Sequence, residues 1–292
     1  MHFTEPVYRN PYLPTWPLLE VTQGCTHNQC KFCTMYRGVK FGVQPMEVIE
    51  EDLTELARTD PHARTIQLVG ANPLALPAHR LIPILEKINE HLPDMDHIYT
   101  QGRITDLRNK TVEDLRTMRE LGMDEMSLGV ESGDDWTLDR INKGYQAADI
   151  LEQYAKLDEA GIRYWMTFLN GVAGREHSRD HAVHSAEIFN QCHPTVVGTG
   201  GLTLFPGAPL LEEAARGEFD PLTERELVEE LKTFLEHLNV DCTLITHHTS
   251  TVNLSGPDFL AHKGQIIAAL QDELDHGDLD RKAAIRNMKT TL

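Results

Sequence analysis

Three cysteines lie within nine residues near the start of the chain, in the segment Cys25-Thr-His-Asn-Gln-Cys30-Lys-Phe-Cys33. This polar segment follows the apolar run Leu18–Val21, which predicts a loop after a buried strand. Thiolates are soft ligands that select iron–sulfur clusters or zinc. Because three thiolates leave a four-coordinate centre one ligand short, one iron of a cubane would stay open to a substrate or cofactor. The residue types therefore predict a catalytic [4Fe–4S] cluster held by Cys25, Cys30 and Cys33.

Two other metal centres fit the same residues. Cys-x4-Cys-x2-Cys is the spacing of the first three ligands of plant-type [2Fe–2S] centres, whose fourth cysteine could be no earlier than Cys192 here. A structural zinc ion is the second alternative, with His27 or a distant residue completing the tetrahedron. The first alternative would make the chain an electron-transfer protein, and the second a zinc-stapled binding protein. Three unligated thiols this close together would invite oxidation.

The cysteine loop resembles that of the radical S-adenosylmethionine (SAM) enzymes. Phe32 stands directly before the last cysteine, where that family usually carries an aromatic residue. The usual family spacing is Cys-x3-Cys-x2-Cys, so the first interval has one extra residue here. The resemblance extends over Leu18 to Phe205. It implies a [4Fe–4S] cluster, SAM bound at the open iron, and reductive cleavage of SAM to a 5′-deoxyadenosyl radical with reduced flavodoxin or ferredoxin as electron donor.

Two later segments also resemble radical SAM enzymes, and both lie where a predicted strand ends. Gly70-Ala-Asn72-Pro73 is similar to the family's Gly-Gly-Glu-Pro-like turn, whose backbone binds the methionine amino group of SAM. The segment Ser127–Gly133 closely resembles the Gly-Val-Gln/Glu-Ser-Gly segment of the branch that includes the methylthiotransferases and the oxygen-independent coproporphyrinogen dehydrogenase. The resemblance implies that Glu131 accepts hydrogen bonds from the SAM ribose. Lys143, twelve positions later, would contact the SAM carboxylate.

Two further residues are candidates for the cofactor site. Arg103 follows the third strand and is a second candidate for the SAM carboxylate. Gly171 belongs to a segment similar to the family's Gly-x-Ile-x-Gly, which packs against adenine. The alternatives are ordinary: a strand-to-helix turn around Gly70 and Asn72, a solvated surface lysine at position 143, and a bend in a strand at Gly171.

The polar segment after the last strand is the candidate substrate site. It is similar to a His-x-Ser…Leu-x-Gly element near the end of compact, uncharacterised radical SAM proteins. We expect its side chains to orient a polar small molecule at the barrel mouth, and these are His247, His248, Ser250 and Asn253. The alternative is a polar loop that satisfies its own backbone.

Two more groups of metal-binding residue types have ordinary interpretations. The histidines at positions 177, 181 and 184 share one face of a helix, and we expect that face to lie on the surface. Cys192 and Cys242 are expected to be small buried hydrophobic residues.

Apolar runs of strand length alternate with segments of helical period throughout the chain. The predicted strands are Leu18–Thr22, Thr65–Val69, His97–Thr100, Met126–Val130, Tyr164–Leu169 and Val196–Phe205, with a seventh near Thr243–Thr246. Capping boxes at Thr111 and Thr223 predict two helix starts. This alternation predicts an α/β protein with a parallel sheet, and the resemblance implies a partial (β/α)6 TIM-like barrel. We expect residues 1–245 to form this core and residues 246–292 a loop and helix extension with a polar tail.

Composition limits the partners. The net charge of −18, from 45 acidic and 27 basic residues, repels phosphate backbones and excludes a nucleic-acid polymer. The sequence has no apolar stretch near the ~20 residues that span a bilayer, so no membrane is expected. Five cysteines with three clustered favour a reducing cytoplasm. The resemblance then implies abstraction of a hydrogen atom from a small or medium polar substrate, followed by rearrangement, elimination or bond cleavage.

Overall fold

The computed structural model describes residues 1–4, 6–246 and 253–288 of the chain. Its strands are β1 (Leu18–Glu20), β2 (Thr22–Gln23), β3 (Gly42–Val43), β4 (Thr65–Val69), β5 (His97–Gly102), β6 (Glu125–Glu131), β7 (Arg163–Asn170), β8 (Val196–Gly201) and β9 (Thr243–Ile245). Its helices are α1 (Met46–Thr59), α2 (Ala78–His91), α3 (Val112–Glu120), α4 (Asp135–Arg140), α5 (Ala147–Ala160), α6 (Ser178–Phe189), α7 (Pro209–Ala215), α8 (Glu224–His237), α9 (Phe259–His276) and α10 (Leu279–Asn287).

Seven strands form one sheet in the order β1-β4-β5-β6-β7-β8-β9. The pairings of β1 with β4, β4 with β5, and β5 with β6 are parallel, as are those of β7 with β8 and β8 with β9. Parallel neighbours joined through helices define the predicted α/β class. All seven predicted strands are present. The sixth ends at Gly201 rather than Phe205, because its partner β7 ends at Asn170, the residue paired with Gly201.

The chain folds as two compact units. The first comprises the described part of Met1–Asn28, with Met35–Gly129 and Gln153–Tyr164. In this unit α1 packs against β1 and α2, and α2 packs against α3. The apolar faces predicted for these helices are buried, as Leu53 and Leu81 illustrate. A short antiparallel pair of β2 and β3 joins Thr22 to Val43 and brackets the cysteine loop in the chain.

The second unit comprises Gln29–Thr34, Val130–Glu152 and the described part of Trp165–Leu292. Helix α8 is its central helix and packs against α6, α9 and α10. The aromatic core joins β7, α6 and α8: the ring of Phe234 stacks on Phe168 with centroids 4.0 Å apart and meets Phe189 edge-on at 5.4 Å. Such rings contribute both buried area and specific geometry to a core.

The C-terminal region differs in part from expectation. Helix α9 covers the predicted helix, but much of the predicted polar tail is also helical and forms α10. Asp278 caps α10 by accepting a hydrogen bond from the backbone N–H of Arg281. The boundary expected at residue 246 stays a prediction. None of the described helices combines the length and apolar character needed to cross a membrane.

Candidate active site

The cysteine loop begins with a turn centred on Asn28. The backbone N–H of Asn28 points at Sγ of Cys25 over 3.4 Å, and the Asn28 side chain donates to the carbonyl oxygen of Tyr36 at 2.7 Å. Asn28 has a positive φ of 49°, a conformation that asparagine tolerates better than most residues. The first thiol is therefore placed by local backbone hydrogen bonding.

The other two cysteines form a separate turn in the second unit. The N–H of Cys33 donates to the carbonyl of Cys30 at 3.3 Å. Lys31 between them donates its N–H to Ile141 and accepts from the N–H of Leu210, both at 3.0 Å. The turn is thus fixed by the end of α4 on one side and the start of α7 on the other.

A buried carboxylate secures the same turn through side chains. Glu213 on α7 lies 2.9 Å from Nζ of Lys31 and also pairs with the guanidinium of Arg140. Burial by itself raises the pKa of Glu213, but its bonds to Lys31 and Arg140 outweigh that effect and hold the pKa below its ordinary value. Glu213 is therefore ionised and tethers the cysteine turn.

All three cysteines of the loop are half-buried, whereas Cys192 and Cys242 are buried as predicted. Burial raises the pKa of the Cys242 thiol to about 12, which makes it unreactive. Within the described ranges, no three His, Cys, Asp or Glu side chains converge closely enough to hold a metal ion. The donor set on this loop, three half-accessible thiols, suits an iron–sulfur cluster, and its role as ligand set stays a prediction.

The turn after β4 is tied to the cysteine loop within the first unit. Gly70 has a positive φ of 105°, and a Cβ atom there would lie 1.9 Å from the carbonyl oxygen of Thr22. Asn72 is buried; its Oδ1 accepts from the N–H of Thr26 at 3.1 Å, and its Nδ2 donates to Asp106 at 2.8 Å. Contacts within the protein therefore explain why Gly70 is a glycine and Asn72 an asparagine.

Arg103 lies at the end of β5, where a 3₁₀ turn follows. Its backbone N–H donates to Asp106 at 2.8 Å, and its side chain is half-buried. Burial raises the pKa of the Asp106 carboxyl, against the lowering effect of the bonds from Arg103 and Asn72. These contacts place Arg103 beside the turn that holds Asn72.

Glu131 and Lys143 come together in the second unit. Glu131 ends β6 with a positive φ of 67°, and its Oε1 lies 3.6 Å from Nζ of Lys143. Its Oε2 accepts a hydrogen bond from Oγ1 of Thr167 at 3.3 Å. Lys143 is only 3% exposed, and its Nζ lies 5.8 Å from the ring centroid of Phe32 and 5.6 Å from that of Tyr145. The alternative of a solvated surface lysine is wrong.

Gly171 follows β7 and has a positive φ of 87°. Its N–H donates a short hydrogen bond to Glu230 of α8, and a Cβ atom would lie 2.6 Å from Leu227. The positive φ therefore disfavours a side chain at this position, and a Cβ atom would also displace the end of the Leu227 side chain, whether or not adenine packs there.

A cavity of about 750 Å³ opens beyond β7 and β8 in the second unit. Its lining includes Gly171, Leu202, Thr203, Leu227, Glu224 and Arg286. Arg286 of α10 donates to Glu224 at 2.9 Å and to the carbonyl of Leu202 at 3.0 Å. Burial raises the pKa of Glu224, although Arg286 opposes the effect. The carboxyl ends of these strands thus border a space large enough for a small molecule.

The expectation of a surface histidine face is wrong for one of its three members. His181 is fully buried, because this face of α6 packs against α8 and β7; its Nδ1 lies 3.0 Å from Oε1 of Glu230 and its ring stacks on Phe168. His184 is half-exposed and bonds to Asp134, and His177 stacks on the exposed Trp136. Residue periodicity identified the face, but not which neighbour covers it.

The candidate substrate loop is described only in part. Three of its predicted residues, His247, His248 and Ser250, lie outside the described residues. Asn253 is exposed, and its Oδ1 accepts from the N–H of Ser255 at 3.3 Å. Oγ of Ser255 in turn accepts from the N–H of Thr246 at 2.9 Å. The described part of the loop therefore satisfies its own backbone, and its substrate role stays a prediction.

Comparison with known proteins assigns the chain to a family. The Radical SAM superfamily matches residues 19–189, more than half of the chain. The protein therefore belongs to the Radical SAM superfamily, as the cysteine loop and the strand-end segments predicted. Enzymes of this superfamily use a [4Fe–4S] cluster and SAM.

One curated relative matches part of the chain. The chain is 23% identical over 185 residues to the heme chaperone HemW of Bacillus subtilis (strain 168), which covers 59% of this chain and 47% of that protein. The aligned regions span less than half the length of the curated relatives that the chain matches.

Solved structures share the fold at low sequence identity. The radical SAM methyltransferase TsrM from Kitasatospora setae, with tryptophan substrate and a SAM analogue bound, superposes with a TM-score of 0.62 at 14% identity, covering 92% of this chain and 62% of that chain. Coproporphyrinogen III oxidase (HemN) from Escherichia coli gives a TM-score of 0.54 at 15% identity, covering 76% and 53%. Both agree with the predicted partial-barrel fold.

Proposed function

We propose that this chain is a radical SAM enzyme acting on a small or medium polar substrate. Cys25, Cys30 and Cys33 would hold a [4Fe–4S] cluster. When bound, the cluster and SAM supply a 5′-deoxyadenosyl radical that abstracts a hydrogen atom, which leads to rearrangement, elimination or bond cleavage. A reduced flavodoxin or ferredoxin would deliver the electron in a reducing cytoplasm.

One observation carries this proposal. Lys143 is buried, yet its ammonium group lies beside the carboxylate of Glu131 and over the ring of Phe32, which belongs to the cysteine loop. Burying a charge is costly unless it is paired or used. A cation suits the carboxylate of SAM and a carboxylate suits its ribose hydroxyls, and both lie next to the cysteine turn.

The chain's own residues would then have distinct tasks. Lys143 would bind the SAM carboxylate, with Arg103 as a second candidate, and Glu131 would accept hydrogen bonds from the ribose hydroxyls. Backbone carbonyl groups of the turn that contains Gly70 and Asn72 would accept hydrogen bonds from the methionine amino group of SAM. The backbone at Gly171 would lie against adenine.

The cavity beyond β7 and β8 supports a substrate position at the ends of these strands. His247, His248, Ser250 and Asn253 remain the proposed substrate-orienting side chains. Residues 246–292 would then act as an extension of the core; the packing of α9 and α10 on α8 supports this.

Anaerobic reconstitution tests the proposal. The wild-type chain should bind about four irons and release 5′-deoxyadenosine from SAM after reduction. Changing Cys25, Cys30 or Cys33 singly to Ala should abolish both. Cys192→Ala is the matched control, because it removes a buried thiol elsewhere, and it should retain both. One zinc per chain and no iron would favour the zinc-stapled binding protein, and a stable two-iron spectrum would favour the electron-transfer protein.

A further inference from the structure

The backbone of Glu131 is strained. Glu131 has a φ of 67°, in the left-handed region that residues other than glycine disfavour, so neighbouring contacts must hold it. This conformation turns the side chain of Glu131 toward Lys143 and Thr167. The direction of the Glu131 side chain, proposed to bind the SAM ribose, therefore depends on contacts made by the Glu131 backbone.

His181 of α6 makes one such contact with the backbone of Glu131. Its Nε2 lies 3.4 Å from the carbonyl oxygen of Glu131, at the long end of hydrogen-bonding distance. Its ring orientation is fixed by stacking on Phe168, with centroids 4.6 Å apart, and by the hydrogen bond between Nδ1 and Glu230. A fully buried histidine with both ring nitrogens engaged has one available orientation.

Glu230 extends the connection to a second cofactor segment. One of its oxygens meets His181 at 3.0 Å and the other accepts the N–H of Gly171. The side chains of both His181 and Glu230 are 0% exposed. The pair therefore links the ends of β6 and β7 through α6 and α8, at the two positions proposed to contact ribose and adenine.

We propose that His181 and Glu230 are positioning residues for SAM: they hold the backbones of Glu131 and Gly171 in the geometry that binds its nucleoside part. This inference rests on the proposed function. Both side chains are fully buried behind these backbones, so we expect their effect to be on affinity for SAM rather than on the number of irons bound.

The hydrogen bonds predict which substitutions are tolerated. An asparagine amide reaches about as far as Nδ1 of histidine, whereas a glutamine amide reaches about as far as Nε2. His181→Gln therefore keeps a donor for the Glu131 carbonyl, and His181→Asn does not. Glu230→Gln keeps an acceptor for the N–H of Gly171 and a donor for a neutral His181, because the uncharged ring can accept at Nδ1 and donate at Nε2. Glu230→Ala removes both.

Equilibrium binding of SAM to the reconstituted four-iron protein, measured by calorimetry, tests the inference. His181→Asn and Glu230→Ala should weaken SAM binding about tenfold, as expected when a positioning hydrogen bond is lost. His181→Gln and Glu230→Gln should bind within about threefold of wild type. Amide hydrogen exchange should accelerate in the peptide that contains Glu131 only in the two weakened variants.

The control is the second histidine–carboxylate pair on the same helix. His184→Ala removes the ring whose Nδ1 bonds to Asp134 at 2.8 Å, one turn away, and should leave SAM affinity unchanged. The inference is overturned if His181→Asn and Glu230→Ala load iron and bind SAM like wild type, or if the Asn and Gln variants of His181 weaken binding equally. If the wild-type four-iron protein binds no SAM, the proposed function fails and the inference with it. If one variant fails to fold, the other Ala or Asn variant decides.

Discussion

Nζ of Lys143 lies 3.6 Å from Oε1 of Glu131, and the lysine side chain is only 4% exposed. Two opposite charges removed from water attract more strongly than at the surface, but each also loses its hydration. The pair lies beside the aromatic ring of Phe32, so it borders the cysteine loop. This arrangement is better suited to receiving a charged ligand than to stabilising the fold.

Removing either member of the pair should weaken SAM binding. Glu131→Ala should retain four irons but bind SAM about 1–3 kcal/mol more weakly, since a hydrogen bond to a charged group is lost. Lys143→Met should weaken binding by a similar amount. The double variant should lose less SAM-binding free energy than the two single variants lose together, because the two residues interact. Lys232→Met, which breaks the exposed pair with Glu236, is the control. A Glu131→Ala protein that binds SAM like wild type would exclude the proposed role of β6.

Loss of the Glu213 tether should loosen the cysteine turn. Glu213→Ala removes the carboxylate that joins Lys31 to Arg140, so both cations lose this ion pair. We expect the reconstituted protein to release iron to a chelator several-fold faster than wild type, because cluster binding is coupled to local folding. Glu212→Ala, at the adjacent exposed position, should release iron at the wild-type rate. Equal rates for both variants would show that the turn holds without Glu213.

Lys110 should make stability depend on pH in the alkaline range. Burial lowers its pKa from 10.5 to about 8, although Asp106 opposes the effect. Between these two values the unfolded chain holds a proton that the folded chain has released, so this contribution to stability increases as pH rises. Below about pH 8 both states are protonated, and the folded state carries the full cost of the buried charge.

The measurement is a difference between two proteins. The free energy of unfolding of wild type, minus that of Lys110→Met, is measured by denaturant unfolding between pH 7.5 and 10. This difference should increase by up to ~1.4 kcal/mol per pH unit. Other titrating groups cancel in this difference. Lys110→Met should also be less stable overall, because the carbonyls of Leu74 and Leu76 lose their donor. The same difference for Lys232→Met should be flat, and a flat result for Lys110 would contradict the prediction.

The capping box of α8 should contribute measurably to stability. Glu226 accepts the N–H of Thr223 at 2.7 Å, and Oγ1 of Thr223 accepts the N–H of Glu226 at 3.4 Å. Thr223→Ala should lower the free energy of unfolding by about 1 kcal/mol. Thr233→Ala, in the middle of the same helix, should not, since its hydroxyl only bonds back to the carbonyl of Glu229. Equal losses in the two variants would indicate a general effect of threonine removal.

Local sequence was sufficient to predict the elements. Each strand of the seven-stranded sheet is an apolar run, and both predicted capping boxes form, because these signals act over neighbouring residues. The pair β2 and β3 was missed, since two-residue strands carry no periodicity. The cysteine spacing similarly indicated the cofactor class, because ligand type is a property of the side chains themselves.

Tertiary packing decided what those side chains meet. Lys143 is buried beside Glu131, and His181 is buried against Glu230 while His184, three residues later on the same helix, is half-exposed. The sequence alone determined that α6 has a histidine face, but α8 determined which histidine is covered. Burial depends on residues distant in the chain, whose approach is fixed only when the helices pack. For that reason the sequence predicted the class of cofactor, and only the folded chain shows the contacts that His181 and Glu230 make with the backbones of Glu131 and Gly171.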